Sequence, residues 1–341
     1  MAEPRQRLFY LDLIRAAALF CILVVHFNAA VTAYFTLPHK LFASVLPLGI
    51  YLGDFGSSLF FIVSGAALMY TARSDVSAAS FYRKRVKTLY PMFWVAWVLC
   101  FSIRFLTKPG FYAGAKTPSL LLTALGLDTF ALSAGWVGMD FACVGEWFLG
   151  AILFLYLLFP WLQRALIRRP GVVWVVLLAI CVPLHLYGWA GGLIAIHVLE
   201  FLFGMTWIRL SRKAQCAALG ACTVCLALFW RVDTKITCAL VSAAVWGLLA
   251  WAAPWMDRPI LRRSCEWLGK YSYPVFLVHH VIILRMAEQF DLAALTRRDT
   301  ALLFGIYLLC SFAAANVLKR LTEFITNRLK GMFCGTEKEK R

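Results

Sequence analysis

The chain has 341 residues, 62% of them hydrophobic and 15% charged, with a formal net charge of +17. A soluble chain of this length is nearer 45–50% apolar, roughly, so the composition excludes an ordinary soluble domain and indicates an integral membrane protein. The excess of Lys and Arg then reads as membrane topology rather than nucleic-acid binding, since positive charge collects in cytoplasmic loops and no nucleic-acid motif is present.

A membrane-spanning helix needs about 20 apolar residues. In chain order the apolar runs predict ten: 8–31, 46–70, 89–106, 144–165, 171–188, 191–208, 214–230, 236–254, 271–290 and 300–320. The segment 119–134 is short, carries Asp128 and is flanked by glycine, so it is expected to be re-entrant or interfacial rather than a span. The first run is read as a retained span, not a cleaved signal, because Arg15 and His26 suit a functional helix better than a leader. With both termini in the cytoplasm, 24 of the 34 Lys and Arg residues fall on the inner side and 9 on the outer, the expected bias. The expected class is therefore an all-α bundle of about ten transmembrane helices. It forms a single domain over 1–330, followed by a short basic tail at 331–341. Cys222 and Cys225 form a C-x-x-C inside an apolar run with no second ligand pair, which favours core residues over a metal site.

The opening run, "LFYLDLIRAAALFCILVVHFN", contains Asp12, Arg15 and His26. A charge at mid-bilayer costs ~2.5–3.5 kcal/mol on insertion scales, so such residues face a bundle interior or a water-filled cavity and are site candidates. Asp12 and Arg15, three apart, share a face and can pair. Arg15 and His26 are eleven apart, ~1100° of rotation or within ~20° of three full turns, with a rise of ~16 Å. A cation and a histidine therefore lie on one line along the helix, which suits a substrate reaching across the membrane. An ion pair plus a hydrogen-bonded core histidine is the competing, purely structural explanation.

Further along, Asp54 and Glu146 are candidates to orient a histidine or bind an acceptor hydroxyl, and His185, His197 and Glu200 are weaker candidates. "FYRKRVKTLYP" (81–91) is basic and aromatic, fitting either an interfacial anchor or a landing site for an anionic substrate on Arg83 and Arg85, beside a helix expected to start at Pro91. In "SYPVFLVHH" a helix start is expected at Pro274 with Ser272 as cap. His279 and His280 point ~100° apart, so at most one of them is expected to face the same cavity as His26.

These stretches together resemble the acyltransferase 3 family of polytopic acyltransferases. The resemblance lies in the Arg15-x10-His26 helix; "LFFIVSGAAL" (59–68) around Ser64 and Gly65; the basic segment at Arg83, Arg85 and Pro91; "EWFLGAILFLYLLFP" (146–160) at Trp147, Phe148, Leu149, Tyr156 and Pro160; and Ser272, Tyr273, Pro274, Leu277 and His279. Five loose motifs in order cover almost the whole chain. One departure is that Asp12-Leu13-Ile14-Arg15-Ala16 lacks two glycines the family often has there.

The resemblance implies a stand-alone O-acetyltransferase of a bacterial cytoplasmic membrane. It would move acetyl from cytoplasmic acyl-CoA (acetyl-CoA) to a hydroxyl of an extracytoplasmic carbohydrate or lipid-linked sugar, with membrane lipids around it and no bound cofactor or metal. His26, Arg15, His279 and Asp12 would then carry catalysis, and Arg83, Arg85, Glu146, Trp147, Ser64 and Tyr273 substrate binding. A glycolipid transporter or flippase is the alternative. It predicts matching broken helices in two halves, and the charged first span has no such counterpart.

Overall fold

The computed structural model describes residues 7–34, 40–72, 77–108, 110–188, 192–291 and 294–338, without the side chains of 29–34, 192–193 and 331–338. Those residues form twelve α-helices and no β-strand. In order they are α1 (Phe9–Tyr34), α2 (Leu52–Thr71), α3 (Ala78–Thr107), α4 (Thr117–Leu125), α5 (Asp128–Ser133), α6 (Glu146–Arg168), α7 (Pro170–Leu186), α8 (Gly192–Trp207), α9 (Arg212–Phe229), α10 (Thr234–Met256), α11 (Pro259–Gln289) and α12 (Arg297–Lys338).

Seven are long and apolar enough to cross a membrane: α1, α2, α3, α6, α9, α10 and α12. Helices α7 and Ile194–Trp207 of α8 are apolar but shorter, and α11 is 31 residues long with charges along it. Each of the ten expected spans thus coincides with a helix. The 119–134 segment is two helices of nine and six residues, about 14 and 9 Å, too short for a hydrocarbon core of about 30 Å. Helix α12 continues through Lys338, and 339–341 lie outside the described residues.

Two expected helix starts are corrected. Pro91 lies inside α3, which begins thirteen residues earlier at Ala78, where the Ser77 side chain accepts from Ser80 N at 3.2 Å. Pro274 lies inside α11, and Ser272 is no cap, since its hydroxyl donates to Gly269 O at 3.0 Å. Proline at the first helical position is the soluble-protein rule, but in a packed membrane helix neighbours satisfy the backbone groups that proline frees.

The core centres on α1, packed against α2 and α11, with α2 against α8 and α11 against α12. Phe27, Phe61, Phe93, Phe159, Phe201 and Tyr307 fill it, each at most 1% exposed. The α2–α8 crossing is close enough to need glycine on both sides. A Cβ on Gly65 would lie 2.0 Å from Phe201 O, and one on Gly204 2.0 Å from Ile62 O. Small residues let membrane helices approach at backbone distance, where dispersion replaces the missing hydrophobic drive.

The same crossing buries a polar network: Ser58 Oγ donates to Glu200 Oε1 at 2.5 Å, and Glu200 Oε2 bonds His197 Nδ1 at 2.8 Å. His197 and Glu200 were legible as ionisable residues in an apolar run, but Ser58, on another helix, was not. Asp54 is held by Lys235 and His185 by Asp233 at 3.0 Å, so the structure gives these two candidates salt-bridge partners.

Candidate active site

Helix α1 carries two polar centres. At its start, Asp12 is 2% exposed and accepts from Arg7 Nε at 2.5 Å, Arg7 Nη2 at 2.9 Å and Arg15 Nη1 at 3.0 Å. The expected Asp12–Arg15 pair is present, and Arg7, read only as a topology signal, completes it. Helix α11 comes in over the group at Gly269, where a Cβ would lie 3.0 Å from Asp12 Oδ1 and 3.5 Å from Arg15 Nη1. A glycine isolated among "EWLGKYSY" gives no hint of that role.

Near this centre the basic segment joins. Arg83 is exposed, while Arg85 is half-buried with its guanidinium 5.3 Å from the Phe81 ring centroid and 5.8 Å from that of Tyr156. The Tyr156 phenol is within hydrogen-bonding reach of Ser64 and faces the charges of Arg85 and Arg15. Arg85 Nε is buried without a partner among the described residues, leaving that guanidinium N–H unused there. Tyr273 donates its hydroxyl to Leu89 O at 3.0 Å, tying α11 to α3 beside the basic segment.

The second centre lies ~16 Å further along α1. His26 Nδ1 and His280 Nε2 are 2.6 Å apart, and the His26 ring centroid is 4.0 Å from that of His280 and 4.9 Å from that of His279. Both α11 histidines thus flank His26, although consecutive helical side chains point ~100° apart. A 100° step separates two side chains by only a few ångströms near the helix surface, and the α1 ring seats between them. His279 Nδ1 lies 2.8 Å from Phe276 O and 3.1 Å from Val275 O. Carbonyls only accept, so Nδ1 carries the hydrogen and Nε2 is a lone pair. That Nε2 is buried and has no partner among the described residues.

The three rings can bring one nitrogen each within 4.8 Å of one another, a spacing that could gather a cation. No carboxylate belongs to the cluster, and the charge of Arg104 is felt at His280.

Toward the end of α11 a cavity of about 540 Å³ opens between α3 and α11, lined by Cys100 and Arg104 on one wall and by Val281, Arg285 and Glu288 on the other; none of the three histidines lines it. Lys108 and Arg285 both pair with Glu288, whereas Arg104 lies 4.8 Å over the Phe111 ring with a long 3.4 Å bond to Ala142 O. Cations, a carboxylate and aromatic surface together suit a neutral polyhydroxyl ligand better than an anion or a cation. Arg104 and this cavity have no signal in the sequence beyond one charge in an apolar run.

Glu146 and Trp147 stand at the start of α6. Glu146 is 3% exposed, and its carboxylate accepts from Cys143 N at 2.8 Å and Val144 N at 3.0 Å, holding the loop that leads into α6. Trp147 is half-buried between Phe148 and His197, at ring distances of 5.9 and 6.5 Å.

Comparison with known proteins identifies the family. An acyltransferase domain model matches residues 8–320, nearly the whole chain. The acyltransferase MdmB of Streptomyces mycarofaciens is 28% identical over 279 residues, 68% of each chain. No solved structure matches. With its multi-pass apolar helices and a family model spanning both polar centres of α1, the chain belongs to the acyltransferase 3 family of membrane acyltransferases.

Proposed function

We propose that the protein transfers an acyl group, acetyl in the first instance, from acyl-CoA to a hydroxyl of an extracytoplasmic carbohydrate or lipid-linked sugar. It would do so in the cytoplasmic membrane with both termini inside. The observation that carries this reading is the alignment on α1 of a guanidinium centre with a histidine cluster.

Donor binding falls to the first centre. Arg85, with its unused buried Nε–H, and Arg15 would hold the CoA phosphates, and exposed Arg83 would meet them at the mouth. Asp12 keeps Arg15 charged and in place, while Ser64 and Tyr273 shape the wall around Tyr156. The reacting carbonyl would then approach His26. Neutral imidazole there can take the acceptor hydroxyl proton as general base, or accept the acyl group before passing it on. His279, with its free Nε2 lone pair, is placed to accept a hydrogen bond from the acceptor or to carry a proton. The cavity at Arg104 and Glu288 would take the acceptor.

The test uses membrane vesicles supplied with labelled acetyl-CoA on the cytoplasmic face, comparing wild type with His26→Ala and Arg15→Ala at matched expression. Label should reach lumenal glycan in wild type. The rate should fall by ~10²–10⁴-fold without His26, and transfer should be lost without Arg15. Full transfer by His26→Ala would move the chemistry elsewhere. No label movement in wild type would remove the acyl-CoA reading.

A further inference from the structure

His280 lies one residue beyond the last motif of the family resemblance, yet it makes the shortest contact of the histidine cluster, 2.6 Å from its Nε2 to His26 Nδ1. We propose that His280 is a positioning residue for His26. It accepts the His26 Nδ1–H and thereby keeps the His26 Nε2 lone pair free for the acceptor hydroxyl. The inference rests on the acyl-transfer reading above.

At 2.6 Å one proton lies between the two nitrogens, because two facing lone pairs repel and two facing N–H groups clash. His279 cannot supply the partner. Its Nδ1–H is committed to the carbonyls of Val275 and Phe276, and its Nε2 makes no bond. Of the two neighbouring rings, only His280 is therefore bonded to His26 and able to set its tautomer. If His280 donates, the His26 lone pair sits on Nδ1, turned toward His280 and closed to substrate. If His280 accepts, the lone pair sits on Nε2, and His26 is a base.

An aspartate usually fills this place in hydrolytic triads. A second imidazole does the same orienting without adding a formal negative charge to the bundle, which an apolar environment penalises.

The chemistry balances with these groups alone. The acceptor O–H proton moves to His26 Nε2 as the oxygen attacks the thioester carbon. The imidazolium so formed is stabilised through its Nδ1–H on His280 Nε2. The C–S bond breaks, and the CoA thiolate takes the proton back from His26 Nε2, leaving an ester, CoA thiol and the original histidine pair.

Three variants in the vesicle assay test it. His280→Phe keeps the ring and removes the acceptor. Its transfer rate should drop by about 30–100-fold, with the KM for acetyl-CoA within about twofold of wild type. His280→Gln can present a carbonyl oxygen where Nε2 was and should retain transfer within about fivefold of wild type. His280→Asn, one methylene shorter, should behave like the Phe variant, and it carries the test with Gln if His280→Phe fails to accumulate. The proposal is overturned if His280→Phe keeps more than about half the wild-type rate. It is also overturned if Gln is as inactive as Asn while both melt like wild type, which would make His280 a packing residue. A wild type that transfers nothing removes the acyl-transfer reading itself, and this proposal with it.

Discussion

Adding one methyl group at Gly65 should test the architecture that carries both polar centres. An ideal Cβ there would sit 2.0 Å from Phe201 O, and ordinary contact begins at 3.4 Å, so α2 and α8 must part by about 1.4 Å at the crossing. The obstacle is backbone on a helix, not the end of a flexible side chain, so the strain cannot be relieved by a rotamer change. Overpacking of this kind costs about 1–3 kcal/mol. The upper end applies here, because parting the helices also stretches the 2.5 Å bond from Ser58 to Glu200. We expect Gly65→Ala to lower the melting temperature of the detergent-solubilised protein by about 4 °C. Gly204→Ala meets Ile62 O at the same 2.0 Å and should cost as much. The double variant should fall well short of the sum, because both methyls wedge open one crossing. A Gly65→Ala protein that melts within about 1 °C of wild type would refute the close-crossing argument.

Two further outcomes follow from buried carboxylates. Asp12→Asn removes the charge shared by Arg7 and Arg15. Breaking a fully buried pair costs about 3–5 kcal/mol, but the two arginine side chains are 43% and 24% exposed, so about 1–3 kcal/mol is expected. The KM for acetyl-CoA should rise with little change in kcat, read from the same vesicle assay. Asp128, in α5 outside the spans, has its carboxyl pushed up to about 6 by burial and by the neighbouring Asp140. A raised carboxyl pKa means that the folded state holds a proton the unfolded state releases, so stability falls as pH rises from about 4 to 6 and then levels off. Asp128→Asn should flatten that slope and raise the melting temperature at pH 7 but not at pH 4, and a parallel melting curve against pH in both proteins would refute it.

The parts of the fold that one helix encodes by itself were legible. Apolar runs located ten of the helices, and the shortness of 119–134 marked it as no span. Spacing alone put Asp12 beside Arg15 and Arg15 in line with His26. What failed was of two kinds. Helix ends were misread at Pro91 and Pro274 because hydropathy reports where lipid ends, while α3 and α11 continue as helix through basic, water-facing turns. Contacts between helices were invisible for a different reason. Gly269 over Asp12 and Arg15, Ser58 on Glu200 and His280 on His26 each join residues whose partner is set by packing rather than by period. Gly65 belonged to a motif, but its reason, a carbonyl from another helix, appeared only in three dimensions.

The separation of the two centres on α1 has its own consequence. Leu19 and Ile22 lie between Arg15 and His26 on the same face, and they are 2% and 4% exposed. Both belong to apolar clusters or the buried core beside them, so the guanidinium end and the histidine end do not share an open aqueous path along this face. A bundle with polar groups at both ends risks conducting water and protons, and two sealed aliphatic residues are a cheap barrier against that, since each polar group in hydrocarbon costs several kcal/mol, roughly, without a partner. Acyl transfer across such a barrier requires the thioester end of the donor, carbonyl carbon and sulfur together, to reach His26. The line of Arg15 and His26 therefore reads as two anchoring points with a dry interval, not as a channel. The same interval explains why the ionisable residues of α1 sit near its ends while its middle, from Ala18 to Val25, is apolar apart from a half-buried Cys21.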